Sequence, residues 1–84
     1  MTDADKLRAA VAAADAGRWD EAHTLVQDLA GAQAAWIHAN LHREEGDADN
    51  ARYWYSRAGR PVSTLGFSAE REEIAAALAS LTNC

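Results

Sequence analysis

The sequence has a single cysteine, Cys84, at its last position. No disulfide can form within the chain, which excludes a cross-linked small scaffold. Cys84 has no basic neighbour to activate it and is read as incidental. There is no apolar run of the roughly 18 residues that a membrane-spanning helix requires. The first residues lack the basic start and apolar core of a secretory signal. A soluble cytoplasmic protein without a membrane partner is therefore expected. The one proline, Pro61, leaves long stretches unbroken, and no segment alternates apolar and polar residues as a strand would. No phosphate-binding glycine loop, nucleophile elbow or HExxH motif occurs. Ser56, Ser63, Ser68 and Ser80 have no base beside them in sequence, so no enzyme activity and no cofactor are predicted.

Thirteen acidic against eight basic residues give a net charge of −5 and a pI of about 4.9, which argues against nucleic-acid binding. The charge is uneven. Residues 52–67 contain Arg52, Arg57 and Arg60 and no acid, a positive segment on an acidic chain. Hydrophobic residues make up 49%, but 21 of them are alanine. Alanine favours helix and buries little area. Eighty-four residues form one domain, 1–84, which at this size buries only about 60–65% of its surface. Helices must pack closely around a few large anchors, with help from a second copy or a partner.

Periodicity predicts five helices. Thr2 and Asp5 form a capping-box pattern ahead of a first helix over about 3–15, with Leu7, Ala10, Val11 and Ala14 on one stripe. Gly17 ends it. A second helix starts near Trp19, carries Ala22, Leu25, Val26 and Leu29, and is closed by Gly31. A third runs from about Gln33 to Glu45. Ile37 and Leu41 lie on one side of it and Trp36, Asn40 and Arg43 on another, a two-sided pattern that places it centrally. Gly46 and Asp47 turn the chain into a fourth helix, from about Asn50 to Gly59, with Ala51, Trp54, Tyr55 and Ala58 in one stripe. After Pro61 and a loop, Ser68 is the expected N-cap of a fifth helix over about 69–81, with Glu70, Glu72 and Glu73 suiting its positive end and Ile74, Leu78 and Leu81 its apolar face.

The first and second helices align with the third and fourth at an offset of 29 residues. Gly17, Ala22, Val26 and Leu29 match Gly46, Ala51, Tyr55 and Ala58. Asp47, Ala51, Trp54, Tyr55, Ala58 and Gly59 follow a D-x-x-x-A-x-x-W-Y-x-x-A pattern ending in a small residue. In this the chain resembles the tetratricopeptide superfamily and its Sel1-like branch, although its repeat is about five residues shorter than the tetratricopeptide norm. The resemblance implies an all-α fold of two stacked antiparallel hairpins, repeats at about 3–30 and 33–60, plus a C-terminal capping helix. It also implies a protein or peptide partner. By counting from the two turn glycines, it implies a concave groove lined by Leu7, Val11, Gln33, Trp36, Asn40, Arg43 and Glu44, open to a partner helix or covered by the fifth helix or a second copy.

Two further places carry chemistry. Arg52, Tyr53, Arg57 and Arg60 interleave with Trp54 and Tyr55, a pattern suited to an acidic peptide, a nucleotide or a single strand of nucleic acid; the plainer account is a core stripe flanked by surface ion pairs. His38 and His42 are four apart on one helix, a spacing that can hold a metal. Glu45 lies further round the helix and His23 on another helix, so neither completes a ligand set; core packing is the expected role and no metal is assigned. The combined expectation is a non-catalytic protein-interaction module, a small scaffold or adaptor that also self-associates. The alternatives are a metal- or cofactor-binding helical protein using His38 and His42, and acidic-ligand or nucleic-acid contact through Arg52–Arg60.

Overall fold

Thr2 begins the first helix as its pattern requires. Its hydroxyl accepts from the Asp5 amide at 3.1 Å while the Asp5 carboxylate accepts from the Thr2 amide at 3.2 Å, satisfying two amides that a helix start otherwise strands. The computed structural model describes residues 1–82, and side chains of residues 1–80. It contains α1 (Asp3–Asp15), α2 (Trp19–Val26), α3 (Ala32–Glu45), α4 (Ala48–Ala58) and α5 (Phe67–Thr82). No strand occurs among the described residues, and the fold is all-α. Among them, no helix is long and apolar enough to cross a membrane. Cys84 and the Leu81 side chain lie outside the described residues.

Three boundaries differ from the sequence expectation. α2 ends at Val26, where a turn bonds the Leu29 amide to the Val26 carbonyl at 3.0 Å and leaves Leu29 packed against the core. Gly31 therefore precedes α3 rather than closing α2. α4 starts at Ala48 because the Asp47 carboxylate caps it, accepting from the Asn50 amide at 3.2 Å. α5 starts at Phe67, with the Glu70 amide bonded to the Gly66 carbonyl at 2.9 Å; Ser68 lies inside the first turn instead of capping it.

α1 with α2 and α3 with α4 form two hairpins. Ala22 and Ala51, and Val26 and Tyr55, are buried at equivalent places. Gly46 takes the left-handed conformation at φ 90°, which glycine adopts without strain and which a larger residue would resist. Gly17, its equivalent, has φ 80°. α3 is central, touching α1, α2, α4 and α5. Its nine consecutive residues from Ala34 to His42 are all buried.

α5 does not extend the row of helices past α4. Gly59 and Pro61 end α4, and the chain returns to lay α5 across α1 and α3; α5 meets α4 through the Tyr55–Glu70 hydrogen bond, without the close backbone approach it makes to α1 and α3. Ile74 and Leu78 enter the same core as Leu7 and Val11. The seam with α3 is polar. Glu70, fully buried, accepts from Trp36 Nε1 at 3.0 Å, Asn40 Nδ2 at 2.8 Å, Arg43 at 2.9 Å and the Tyr55 hydroxyl at 2.6 Å. Next to it, buried Arg71 donates to Asp15 at 2.6 Å, Glu44 at 2.9 Å and Asn40 Oδ1 at 3.1 Å. No buried side-chain nitrogen or oxygen lacks a partner among the described residues, the condition under which a buried charge is tolerated.

Burial pushes the Glu70 pKa up, and the hydrogen bonds from Asn40, Tyr55, Arg43 and Trp36 more than offset it, so the net shift is downward. A lowered carboxylate pKa adds stability above its unfolded value, lost as pH falls through the folded one. Glu70→Ala removes the acceptor while leaving Arg43 and three further donors in place, and should cost about 3–5 kcal/mol, measured by urea unfolding followed by circular dichroism. Tyr55→Phe, which removes one hydroxyl, should cost about 1–2 kcal/mol.

Candidate functional site

The face of α3 expected to line a groove is occupied. Leu7, Val11, Trp36 and Asn40 are buried. Trp36, Asn40 and Arg43 spend their donors on Glu70, and Glu44 spends its carboxylate on Arg71. Gln33 is half-buried. These residues do come together on one face, and α5 covers it, one of the two arrangements the pattern allowed. The physical reason is complementarity within the chain: one buried acid and one buried base on α5 match the indole, amide, guanidinium and carboxylate groups of α3.

The arginine-aromatic segment divides three ways. Trp54 and Tyr55 turn inward, Trp54 against His38 and Tyr55 to Glu70. Arg60 lies over the Trp36 ring at 3.5 Å from its centroid and reaches Glu73 at 3.3 Å, and so belongs to the α5 seam. Arg52, Tyr53 and Arg57 remain on the outer face of α4, all exposed. Arg57 donates to the Tyr53 hydroxyl at 3.1 Å and lies over the Tyr53 and Trp54 rings. Arg52 pairs with exposed Asp49. Among the described residues α4 lies close along α3 and reaches α5 through the inward-facing Tyr55, which leaves this face without a covering helix. Beside it, a cleft of about 360 Å³ is lined by Leu29, Ala35, Trp54 and Arg57 among others.

Between α2 and α4, which make no packing contact with each other among the described residues, lies a layer of rings. Trp19 stacks on His23 with centroids 4.9 Å apart. His23 meets His38 edge-on, with their Nε2 atoms 3.0 Å apart. His38 stacks on Trp54 at 3.9 Å and on His42 at 4.9 Å. The Trp19 indole donates to the Leu41 carbonyl at 2.7 Å, and His42 Nδ1 bonds Glu45 at 2.5 Å. His38 and His42 thus pack as expected, and His23 joins them. One nitrogen from each of the three falls within 4.8 Å of the others. A second grouping, His42 with Glu45 and Asp47, is more exposed, and its Asp47 carboxylate already serves Asn50. The sequence reading set His23 aside because it lies on another helix, 15 residues before His38. The available signal was the short α2–α3 connection, which makes residues within two turns of it on antiparallel helices neighbours.

Burial, followed by the charges of His23 and His42, pushes the His38 pKa down from 6.5 to about 4. Burial and His42 also lower that of His23. Comparison with protein-family models, curated proteins and solved structures finds no match for this chain.

The His38 shift sets a pH dependence. The unfolded chain takes up a proton on this residue near pH 6.5 and the folded chain only near 4. Between these values the unfolded state binds more protons, so stability is full above the upper value and falls with pH toward the lower. Between about pH 7 and about pH 5 the chelator-treated protein should lose about 2 kcal/mol. His38→Phe should flatten that slope in urea unfolding.

Proposed function

We propose that this chain is a non-catalytic protein-binding module, cytoplasmic in setting, that takes an acidic segment of another protein on the outer face of α4. The observation that carries this reading is the uncovered α4 face: Arg52 and Arg57 beside a Tyr53 ring that is 52% exposed, next to the cleft at Leu29 and Trp54. Arg57 is held 5.7 Å from the Tyr53 ring centroid and 5.6 Å from that of Trp54, and the N–H groups it does not give to Tyr53 suit contact with a carboxylate. The Arg52–Asp49 pair is solvent-exposed and worth little, so a partner carboxylate can replace it. The cleft provides room for an apolar anchor side chain, the feature that concentrates binding energy in such contacts. The pattern resemblance to tetratricopeptide and Sel1-like repeats points the same way, since proteins of that kind bind proteins or peptides.

The partner surface is thus moved from the α1–α3 face, which α5 fills, to the opposite side of the second hairpin. A second copy of the chain is one candidate partner, because its acidic remainder complements the arginines. Nucleic acid is disfavoured by the net charge of −5.

The experiment is affinity capture from the native cell extract with the chain and with an Arg52→Glu/Arg57→Glu variant, with light scattering of both. Surface changes of this kind move stability by only about 0.5 kcal/mol. Capture of a defined protein, or a concentration-dependent dimer, that the variant weakens at least about tenfold and that added salt also weakens is the expected result. Equal capture by the variant, or a monomer that captures nothing, would sink the reading.

A further inference from the structure

We propose that His23, His38 and His42 form a site for one transition-metal dication, held between α2 and α3 and completed by a water molecule. The site shares Trp54 with the α4 surface but does not rest on the reading of that surface. The first argument is distance. Imidazole nitrogens bound tetrahedrally to zinc at 2.0–2.1 Å lie about 3.3 Å from one another. The His23 and His38 Nε2 atoms already stand 3.0 Å apart. One nitrogen from each of the three rings falls within 4.8 Å of the others, so the set is near the spacing a shared ion requires.

The second argument is that each ligand ring is held by a different neighbour. Trp19 stacks on His23, and Trp54 stacks on His38 with planes only 12° apart. Glu45 accepts at Nδ1 of His42, which fixes the tautomer and leaves Nε2 for the ion. A carboxylate behind a ligating imidazole is the arrangement that orients metal-bound histidines and raises their basicity. Leucine or phenylalanine would fill the gap between α2 and α4 without burying titratable nitrogens.

The third argument is access and charge. His38 and His42 are buried, while His23 and both tryptophans are half-buried, so the site lies one layer below the surface with an approach past His23. The carboxylates of Asp20 and Glu45 act on His23 from nearby and favour an incoming cation. Three nitrogen ligands and no thiolate suit zinc, nickel or copper over calcium or magnesium. The ion would tie the first hairpin to the second.

The test uses tag-free protein with zinc alone, and cobalt as its visible reporter. Competition against a chromophoric chelator should give one equivalent bound. Cobalt should give the intense visible bands of a tetrahedral site, and bound zinc should raise the Tm. His23→Gln changes a half-exposed residue, is checked for folding by far-ultraviolet circular dichroism, and should weaken zinc at least tenfold. Glu45→Gln, a positioning change, should weaken it about tenfold. Failure to compete with the chelator would overturn the proposal, as would binding that His23→Gln leaves unchanged. Binding abolished by Asp47→Asn but kept by His23→Gln would place the ion at His42, Glu45 and Asp47, and would overturn it equally.

Discussion

A carboxylate with no access to solvent sits at the seam between α3 and α5, and the packing of both helices follows from the need to satisfy it. Glu70 takes hydrogen bonds from an indole, an amide, a guanidinium and a phenol, contributed by two helices of the second hairpin. Moving an ionised carboxyl out of water costs several kcal/mol, and only a full set of donors returns it. That requirement fixes the rotation of α3, which must present Trp36, Asn40 and Arg43 together, and the axial position of α5. Arg71, one residue on, repeats the constraint with opposite charge and reaches α1 through Asp15. A small core rich in alanine offers few large side chains to define how helices meet, and this polar seam supplies the specificity.

Much of the architecture was legible in the sequence because it depends on local rules. The Thr2–Asp5 box set the start of α1. The glycine-spaced repeat located both hairpins, and apolar groups on two sides of α3 marked it as central. The roles of Glu70 and Arg71 were not legible. A run of Glu, Arg, Glu, Glu at a helix start reads as a solvated first turn that suits the dipole, and local pattern cannot report which charge a distant helix will cover. One clue was present: Glu70 stands four residues before Ile74 and eight before Leu78, on the apolar stripe itself. The candidate sites divide for the same reason. Which residues share a face of one helix could be read, and Trp36, Asn40 and Arg43 do share one. What lies opposite that face depended on the path of the loop after Pro61.

The two sides of α3 use different chemistry for the same purpose. Toward α5 it is bound by charge and hydrogen bonds. Toward α2 and α4 it is covered by flat rings, with imidazoles between two indoles. The ring layer bridges two helices whose backbones do not come close among the described residues, so the first hairpin meets the outer helix of the second through side chains of α2 and α4 and the histidines of α3. The outer face of α4 is left bare as a result, while the inner face of the repeat is closed by the chain itself.

The order in which the chain emerges during synthesis gives the α5 seam a further meaning. Trp36 waits 34 residues for its acceptor and Asp15 waits 56 for its arginine, separations that delay closure of the contacts. Until those residues arrive, the first four helices hold donors and a carboxylate with nothing but water to satisfy them. α5 thus acts as a latch: a nascent fragment that lacks it can form hairpins but lacks the partners of Trp36 and Asp15 that lock them.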